Sequence, residues 1–264
     1  MNILDRIIAD KRKEVALRSS LIPIKQLEAS ALFDRKINAL SDRLRNSESG
    51  IIAEHKRRSP SKAVINQQLN VQDVATGYQR AGVCGMSVLT DVKYFGGAID
   101  DLLIARAAVE IPLLRKEFII DPYQLFEAKA YGADVILLIA AVLTTREMQD
   151  LAKLASELQL EVLLEVHDLE ELQRSLIPEV AMIGVNNRNL KTFEVSLDTS
   201  RSLASHIPDS FVKVSESGIS DTASIAGLRD YGYRGFLIGE NFMKTEDPGK
   251  NAGEFISQLQ KTTS

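Results

Sequence analysis

The sequence predicts an α/β fold, a (β/α)8 TIM barrel with an N-terminal helical extension, from the spacing of its apolar runs and from its length. Short apolar runs recur at intervals of roughly 20 to 35 residues, and each is followed by a helical pattern, as expected of parallel βα units. The chain has 264 residues, and about 250 residues is typical of such a barrel. A doubly wound open sheet is the alternative fold with the same alternation.

Eight runs have the length and composition of buried strands. In chain order they are IIAEH at 51, GMSVLT at 85, IPLLRK at 111, DVILLI at 134, EVLLEV at 161, AMIGVN at 181, FVKVSE at 211 and GFLIGE at 235. Between them, TTRE at 144 and DLEE at 168 place Thr or Asp three residues before Glu, which is typical of a helix start. Gly82, Gly132 and Gly232 stand shortly before the next strand, where helices should end.

The residues before the first strand predict a helix outside the barrel repeat. The segment ILDRIIADKRKEVALR, residues 3–18, places Ile, Leu and Val at helical spacing opposite Arg and Lys. We expect one domain, residues 1–264, in which residues 1–48 form this extension. The helix either covers the bottom or side of the barrel or lies as a lid over the catalytic face.

Composition and charge limit the partners. The net charge of −4 leaves no overall basic surplus for a nucleic-acid backbone. The apolar run VILLIAAVL at 135–143 is too short to cross a membrane, and the first residues do not form a signal peptide. Cys84 is the single cysteine, so we expect a cytoplasmic protein without disulfides. The three histidines lack the spacing of a zinc site, and no motif indicates a metal or an organic cofactor. Whether the protein has partners among the enzymes of its pathway stays open.

Polar side chains stand at the ends of several predicted strands. In a barrel these ends meet on one face, where the active site lies, whereas an open sheet would spread them along an edge. The alternative for any one of them is that charged residues end strands because loops are solvated. The residues are Glu54, Lys56, Thr90, Asp91, Lys116, Glu165, Asn186, Ser215, Glu216 and Ser217.

Two glycine-containing turns predict a phosphate site. SESGIS at 215 follows the seventh strand and LIGENF at 237 ends the eighth, and barrels often bind phosphate with these two loops. Gly218 and Gly239 would let the backbone N–H groups approach the phosphate. Glu240 would repel the phosphate unless its carboxylate turns away and only its backbone N–H faces the ligand.

At this point eight blocks of sequence resemble one family. They are IIAEHKRRSPSKAVIN, MSVLTDVKYFGG, IPLLRKEFIIDPYQ, DVILLIAAVL, LLEVHDLEEL, IGVNNRNLKTFEV, SESGI and FLIGENFM. In this order they are similar to the indole-3-glycerol phosphate synthases of tryptophan biosynthesis, from residue 51 through essentially the rest of the chain, and the N-terminal extension resembles that family's as well. Ala63 and Ala98 depart from the usual residues of two flanking loops.

The resemblance implies a reaction and the residues that perform it. The substrate is 1-(2-carboxyphenylamino)-1-deoxyribulose 5-phosphate, which undergoes ring closure, decarboxylation and dehydration to indole-3-glycerol phosphate. By resemblance Lys116 is the general acid of ring closure and Glu165 is the base of dehydration. Lys56 and Arg188 fit the need for cations, because the substrate carries a carboxylate and a phosphate. Whether Lys56 also donates a proton stays open.

The remaining expected site residues support these groups. Glu54 and Lys56 are two apart on a strand and therefore point the same way, so Glu54 can orient Lys56 and keep it charged. Asn186 matches an Asn that binds the substrate in the family. Ser59 is expected to line the site, with a turn residue before Pro60 as the alternative. The phosphate would be held by Ser217, Gly218, Gly239 and the amide of Glu240.

Two other functions remain open at this point. A sugar-phosphate isomerase or epimerase would explain the barrel and the two glycine turns, but it would not need two strand-end lysines and the extension. A barrel that only binds a phosphorylated ligand or a partner subunit would have no need of Lys116 and Glu165 together. The sequence has neither a Gly-x-Ser-x-Gly elbow nor a Walker-type loop, so acyl hydrolysis and nucleoside-triphosphate chemistry lack support.

Overall fold

The fold is a closed barrel of eight parallel strands, in a computed structural model that describes residues 3–60, 62–190 and 192–263, without the side chains of 262 and 263. Each strand pairs with the next one along the chain, and the eighth pairs with the first. This closure excludes the open sheet and confirms the predicted barrel. The strands are β1 Ile51–His55, β2 Gly85–Leu89, β3 Leu113–Lys116, β4 Val135–Ile139, β5 Glu161–Val166, β6 Met182–Asn186, β7 Val212–Glu216 and β8 Gly235–Ile238.

Helices precede the barrel and cover its outside. The expected start signals act as helix caps: the Thr144 side chain accepts from Glu147 N, and the Asp168 side chain accepts from Glu171 N. The helices are α1 Ile3–Leu21, α2 Ile24–Glu28, α3 Leu40–Arg45, α4 Val71–Ala81, α5 Val92–Phe95, α6 Ile99–Ala108, α7 Tyr123–Ala130, α8 Thr145–Glu157, α9 Leu169–Gln173, α10 Asp198–Leu203, α11 Thr222–Arg229, α12 Glu240–Met243 and α13 Pro248–Thr263, with a 3-10 turn at Ala204–His206.

The core has two parts because strand side chains alternate between the barrel interior and the helix layer. Residues such as Ile51, Val88 and Ile183 belong to the large cluster between strands and helices. Ile52 and Leu163 belong to the smaller cluster inside the barrel. The interior is therefore filled by side chains up to the level at which the strands end.

Helix α3 closes the lower end of the barrel, at the start of the strands. Leu40 and Leu44 are fully buried and belong to the interior cluster. The first N–H groups of α3 are satisfied by one carboxylate on β5, since Leu40 N and Ser41 N donate to Glu161 Oε2 at 2.6 and 3.1 Å. This plug leaves the opposite end, where the strands finish, as the accessible face.

Helix α1 lies at that opposite face. Ile3, Leu4 and Ile7 line the cavity at the strand ends. Lys11 is 2% exposed and reaches Asp91 and Glu117, each at 3.0 Å, just beyond β2 and β3. Of the two positions considered for the helix over residues 3–18, α1 therefore takes the one at the catalytic face, and α3, a different helix, covers the bottom. Within the described residues, no helix combines the length and the apolar character needed to cross a membrane.

Candidate active site

A cavity of about 490 Å³ opens where the strands end. The odd-numbered strands contribute the ionisable groups Glu54, Lys116, Glu165 and Glu216. The even-numbered strands and the residues just after them contribute smaller or apolar groups and one amide, because alternate strands share a layer in such a barrel. These are Leu89, Ile139, Asn186 and Gly239.

Every site residue expected from the sequence lines this cavity. The set is Glu54, Lys56, Ser59, Lys116, Glu165, Asn186, Arg188, Ser217, Gly218, Gly239 and Glu240.

Lys116 stands between two carboxylates. Its Nζ is 2.5 Å from Glu216 Oε2 and 3.4 Å from Glu165 Oε2. Burial opposes the positive charge, but the negative charges of Glu216, Glu165 and Glu54 outweigh it, so the pKa of Lys116 is raised. The ammonium therefore keeps its proton until a stronger acceptor appears beside it, which suits a general acid.

Glu54 and Lys56 form the ion pair that their spacing on β1 predicts. Lys56 Nζ lies 2.6 Å from Glu54 Oε1. Burial favours the neutral acid, but the charges of Lys56 and Lys116 outweigh it and lower the pKa of Glu54. Gly239 makes room for this carboxylate, because a Cβ at that position would lie 2.4 Å from Glu54 Oε1. Glu54 thus holds Lys56 at the cavity wall.

Glu165 is held by groups on both of its oxygens. Asn186 Nδ2 donates to Oε1 at 3.1 Å, and Lys116 approaches Oε2. Burial raises the pKa of this carboxyl, but Lys116 and then His167 lower it by more, and the result is a lowered pKa. Asn186 is in turn fixed because its Oδ1 accepts from Arg188 N at 3.0 Å. Glu165 is thus a carboxylate ready to accept a proton.

Glu216 is a site residue to which the sequence analysis assigned no role. It is 1% exposed, and its Oε1 has no hydrogen-bond partner among the described residues. Burial, with the charges of Glu165 and Glu54, raises the pKa of Glu216 to about 7 although Lys116 lowers it. The alternation of side chains along β7 could have indicated this position. Glu216 stands two residues after Val214 and four after Val212, which both face the barrel interior, so its side chain faces the same way.

The far side of the cavity presents backbone and hydroxyl groups. Ser217 and Gly218 follow β7 with φ of 67° and 81°, and this left-handed pair turns the chain at the cavity wall. Gly218 needs its hydrogen, because a Cβ there would lie 2.4 Å from Val195 Cγ1. The carboxylate of Glu240 is paired with a cation, since Lys62 Nζ lies 2.7 Å from its Oε1. These loops supply the groups that an anion needs.

Other polar residues of the strand ends make contacts that hold the fold, including Asp91, which also lines the cavity. Thr90 Oγ1 donates to Glu117 Oε2 at 2.8 Å. Asp91 caps α5 by accepting from Tyr94 N. Ser215 is buried against Asn187 and Ser200 on the outside of the barrel. Across the described positions, no group of three or more His, Cys, Asp or Glu side chains could hold a metal ion.

Comparison with known proteins gives the family. A model of the indole-3-glycerol phosphate synthase family matches residues 4–255. The chain is 48% identical over 259 residues to the indole-3-glycerol phosphate synthase of Bacteroides thetaiotaomicron, covering 98% of this chain and 99% of the relative. This chain belongs to the indole-3-glycerol phosphate synthase family. The resemblance drawn from the sequence blocks is thereby confirmed.

A second relative supports the family, and a solved structure supports the fold. The indole-3-glycerol phosphate synthase of Polynucleobacter necessarius is 42% identical over 265 residues, covering 97% of this chain and 99% of the relative. The 3-hexulose-6-phosphate synthase of Salmonella typhimurium has a TM-score of 0.64 at 13% identity, covering 80% of this chain and 99% of that chain. The second likeness shows the fold alone. Neither the isomerase nor the non-catalytic alternative is supported by membership of this family.

Proposed function

We propose that this chain makes indole-3-glycerol phosphate from 1-(2-carboxyphenylamino)-1-deoxyribulose 5-phosphate with Lys116 as general acid and Glu165 as base. Membership of the family makes the chain a carboxy-lyase of tryptophan biosynthesis and a TIM-barrel enzyme. The observation that carries the residue assignment is the position of Lys116, whose ammonium lies on the cavity wall within 3.4 Å of Glu165 Oε2 and 2.5 Å of Glu216 Oε2.

Ring closure needs an acid beside the substrate ketone. The ring carbon that bears the carboxylate attacks the carbonyl carbon, and the carbonyl oxygen becomes an alkoxide as the new bond forms. Lys116 stabilises this charge and then transfers its proton to the oxygen. Its raised pKa holds the proton in the resting enzyme, while a nearby alkoxide is basic enough to take it.

The later steps restore the aromatic benzene ring and then make the new five-membered ring aromatic. Loss of CO2 returns an electron pair to the benzene ring. Dehydration then removes a proton from the methylene next to nitrogen and releases the hydroxyl as water. Glu165 accepts the methylene proton, since its carboxylate is held ionised by Lys116 and is positioned by Asn186. Lys56 stands in the same cavity and supplies a second ammonium for the departing hydroxyl.

The two anionic ends of the substrate are assigned to different parts of the cavity. The phosphate is assigned to Ser217, Gly218, Gly239 and the Glu240 amide, because they stand in the loops after β7 and β8 and line the cavity, and to Ser59, which lines the same cavity. Lys56 and Arg188 are assigned to charge neutralisation.

The apolar part of the cavity wall suits the benzene ring of the substrate. Part of it comes from helix α1. The apolar residues are Ile3, Leu4, Ile7, Leu89, Phe95 and Phe118.

The cellular setting is part of the same proposal. Cys84 is a free and buried thiol, which suits a reducing compartment, and we assign the protein to the cytoplasm. The small phosphorylated substrate is its partner, with no nucleic acid, no membrane and no organic cofactor or metal in the chemistry.

The test is a turnover assay with the purified full-length protein. The carboxyphenylamino deoxyribulose phosphate is added in buffer containing EDTA, and indole fluorescence and released CO2 are followed together. We expect one CO2 for each indole product. Binding of the substrate without either product would contradict the proposed function.

A further inference from the structure

A histidine lies next to Glu165 without lining the cavity. His167 Nε2 is 3.4 Å from Glu165 Oε1. On the other side of the ring, Nδ1 lies 3.1 Å from Glu171 Oε2. Glu165 lines the cavity, whereas His167 is absent from the described residues that line it. The ring of His167 therefore lies behind the proposed base, with a carboxylate beside each of its two nitrogens.

Two carboxylates beside one imidazole determine its protonation. An ionised carboxylate only accepts hydrogen bonds, and a neutral imidazole carries a single N–H group. A neutral ring that donated from Nδ1 to Glu171 would therefore turn the lone pair of Nε2 toward Glu165. Only the imidazolium attracts both carboxylates. Burial lowers the pKa of His167, but the hydrogen bond to Glu171 and the negative charges of Glu165, Glu171 and Glu216 outweigh burial and raise that pKa.

The turn after β5 holds the ring in this place. Glu171 Oε2 also accepts from the backbone N–H of His167 at 2.8 Å. Glu171 is itself fixed, because its backbone N–H donates to the Asp168 side chain that caps α9. Nε2 of His167 is buried and has no hydrogen bond to another described residue. At 3.4 Å from the carboxylate, an imidazolium therefore acts on Glu165 through its charge.

Glu165 needs a second cation in the middle of the reaction. In the proposed mechanism, Lys116 gives its proton at ring closure, and Glu165 accepts the methylene proton only at dehydration. Between these two steps the amine at 3.4 Å from Glu165 Oε2 is neutral. The carboxyl groups of Glu54 and Glu216 interact unfavourably with the charge of Glu165. The charge of Glu165 then depends on a cation other than Lys116.

We propose that His167 is a positioning residue of the reaction, an imidazolium that holds Glu165 ionised and in place for dehydration. This role rests on the proposed function, in which Glu165 is the base. His167 gives and takes no proton during the turnover, and it acts on the substrate only through Glu165. Loss of its charge should therefore slow dehydration and leave substrate binding and decarboxylation as they are.

The experiment is a single turnover of His167→Gln with enzyme in excess, in which CO2 and indole fluorescence are recorded together. We expect CO2 release within about twofold of wild type and indole formation slower by about tenfold or more, because only the base has lost its cation. In steady state KM should change by less than about twofold, since the ring lies outside the described cavity lining. His206→Gln is the matched control, because His206 is exposed and does not belong to that lining.

A charged substitute separates charge from shape. His167→Lys restores a cation beside Glu165 without restoring the ring, so it should recover most of the rate of indole formation. His167→Gln keeps a polar side chain of similar length but carries no charge.

The protonation of the ring is measured directly in the wild-type protein. The chain has three histidines, so the ring nitrogens can be resolved by ¹⁵N NMR and assigned through His167→Gln and His206→Gln. At pH 6.5, the ordinary pKa of histidine, more than half of His167 should carry protons on both nitrogens. His55 should be neutral at this pH, because burial and Arg57 lower its pKa to about 4.

The outcomes are distinct. Coincident CO2 and indole signals in His167→Gln, or an equal slowing of both, would overturn the proposal, as would a His167→Lys variant as slow as His167→Gln. A neutral His167 at pH 6.5 in the wild-type spectrum would overturn it whether or not the variants fold. If the wild-type protein itself makes no indole product, it is the proposed function that fails.

Discussion

The ammonium of Lys116 and the carboxylate of Glu216 are in contact, with Nζ 2.5 Å from Oε2. Both groups belong to odd-numbered strands at the end of the barrel, where Glu216 is buried and Lys116 is partly exposed. The contact keeps Lys116 protonated in the resting enzyme. In the proposed mechanism, the alkoxide of the substrate competes with Glu216 for this ammonium.

Stability should depend on pH through Glu216. Its pKa in the folded protein is raised to about 7 from 4.5, with burial as the largest cause. The folded state therefore holds this proton more tightly than the unfolded chain. The resulting stability is complete below about pH 4.5 and is lost as the pH rises through about 7. Urea unfolding near pH 5 and near pH 8 measures this loss.

The matched variant is Glu216→Gln. Because it cannot titrate, the difference in unfolding free energy between the two pH values should become smaller by on the order of 2 kcal/mol relative to wild type. An identical pH dependence in both proteins would mean that Glu216 is ionised normally in the fold.

Gly184 should be required for activity although it has no functional group. A Cβ at this position would lie 2.3 Å from Glu216 Oε1, so Gly184→Ala must displace the carboxylate that holds Lys116. We expect kcat to fall by about a hundredfold or more. Gly227→Ala is the control, since a Cβ there meets nothing within 4 Å. Comparable kcat in the two variants would count against a fixed position for Glu216.

Lys11 should couple helix α1 to the site. It contacts Asp91 and Glu117 while almost fully buried. Lys11→Met would remove the cation that these two buried carboxylates share and would leave Glu117 with the more distant Arg115 as its cation, at 3.9 Å. We expect a loss of about 3–5 kcal/mol in unfolding free energy and a raised KM, because α1 carries Ile3, Leu4 and Ile7 to the cavity.

Two comparisons make this prediction specific. Lys11→Arg keeps the charge and should recover most of the stability. Lys93→Met removes only the exposed partner of Asp10 on the same helix and should change KM little. If Lys11→Met and Lys93→Met behaved alike, the buried cluster would have no special role in holding α1.

Glu165→Gln should separate decarboxylation from dehydration. The amide keeps the shape of the side chain but cannot accept the methylene proton, so CO2 should appear faster than indole fluorescence in a single turnover. Glu157→Gln, on the exposed face of α8, should leave the two signals coincident. Coincident signals in Glu165→Gln would show that another group is the base.

The barrel and most of the site could be predicted because strand patterns are local. Each apolar run corresponds to a strand, and the parity rule placed Glu54 and Lys56 on one side, where they form a 2.6 Å ion pair. The same rule turns Glu216 inward. Its role was missed because the space for its carboxylate comes from Gly184 on β6, a neighbour that only the register of β6 with β7 reveals.

The contacts of α1 and His167 could not be read from the sequence. Lys11 stands in the charged run DKRKE, which has the pattern of a solvated helix face, yet carboxylates from two loops bury it. His167 lies just beyond β5, and its approach to Glu165 depends on how Glu171 at the start of α9 holds the turn. Such contacts join segments through loop geometry, which has no periodic signal.

The most direct test is a single-turnover experiment with Lys116→Met, in buffer with EDTA. Substrate binding is measured by calorimetry, and indole fluorescence and CO2 are recorded with enzyme in excess. We expect the dissociation constant to stay within about tenfold of wild type while both product signals vanish, since removing a general acid costs about 10²–10⁴ in rate. A near-normal rate of indole formation in Lys116→Met would contradict the assignment of the acid and with it the proposed mechanism.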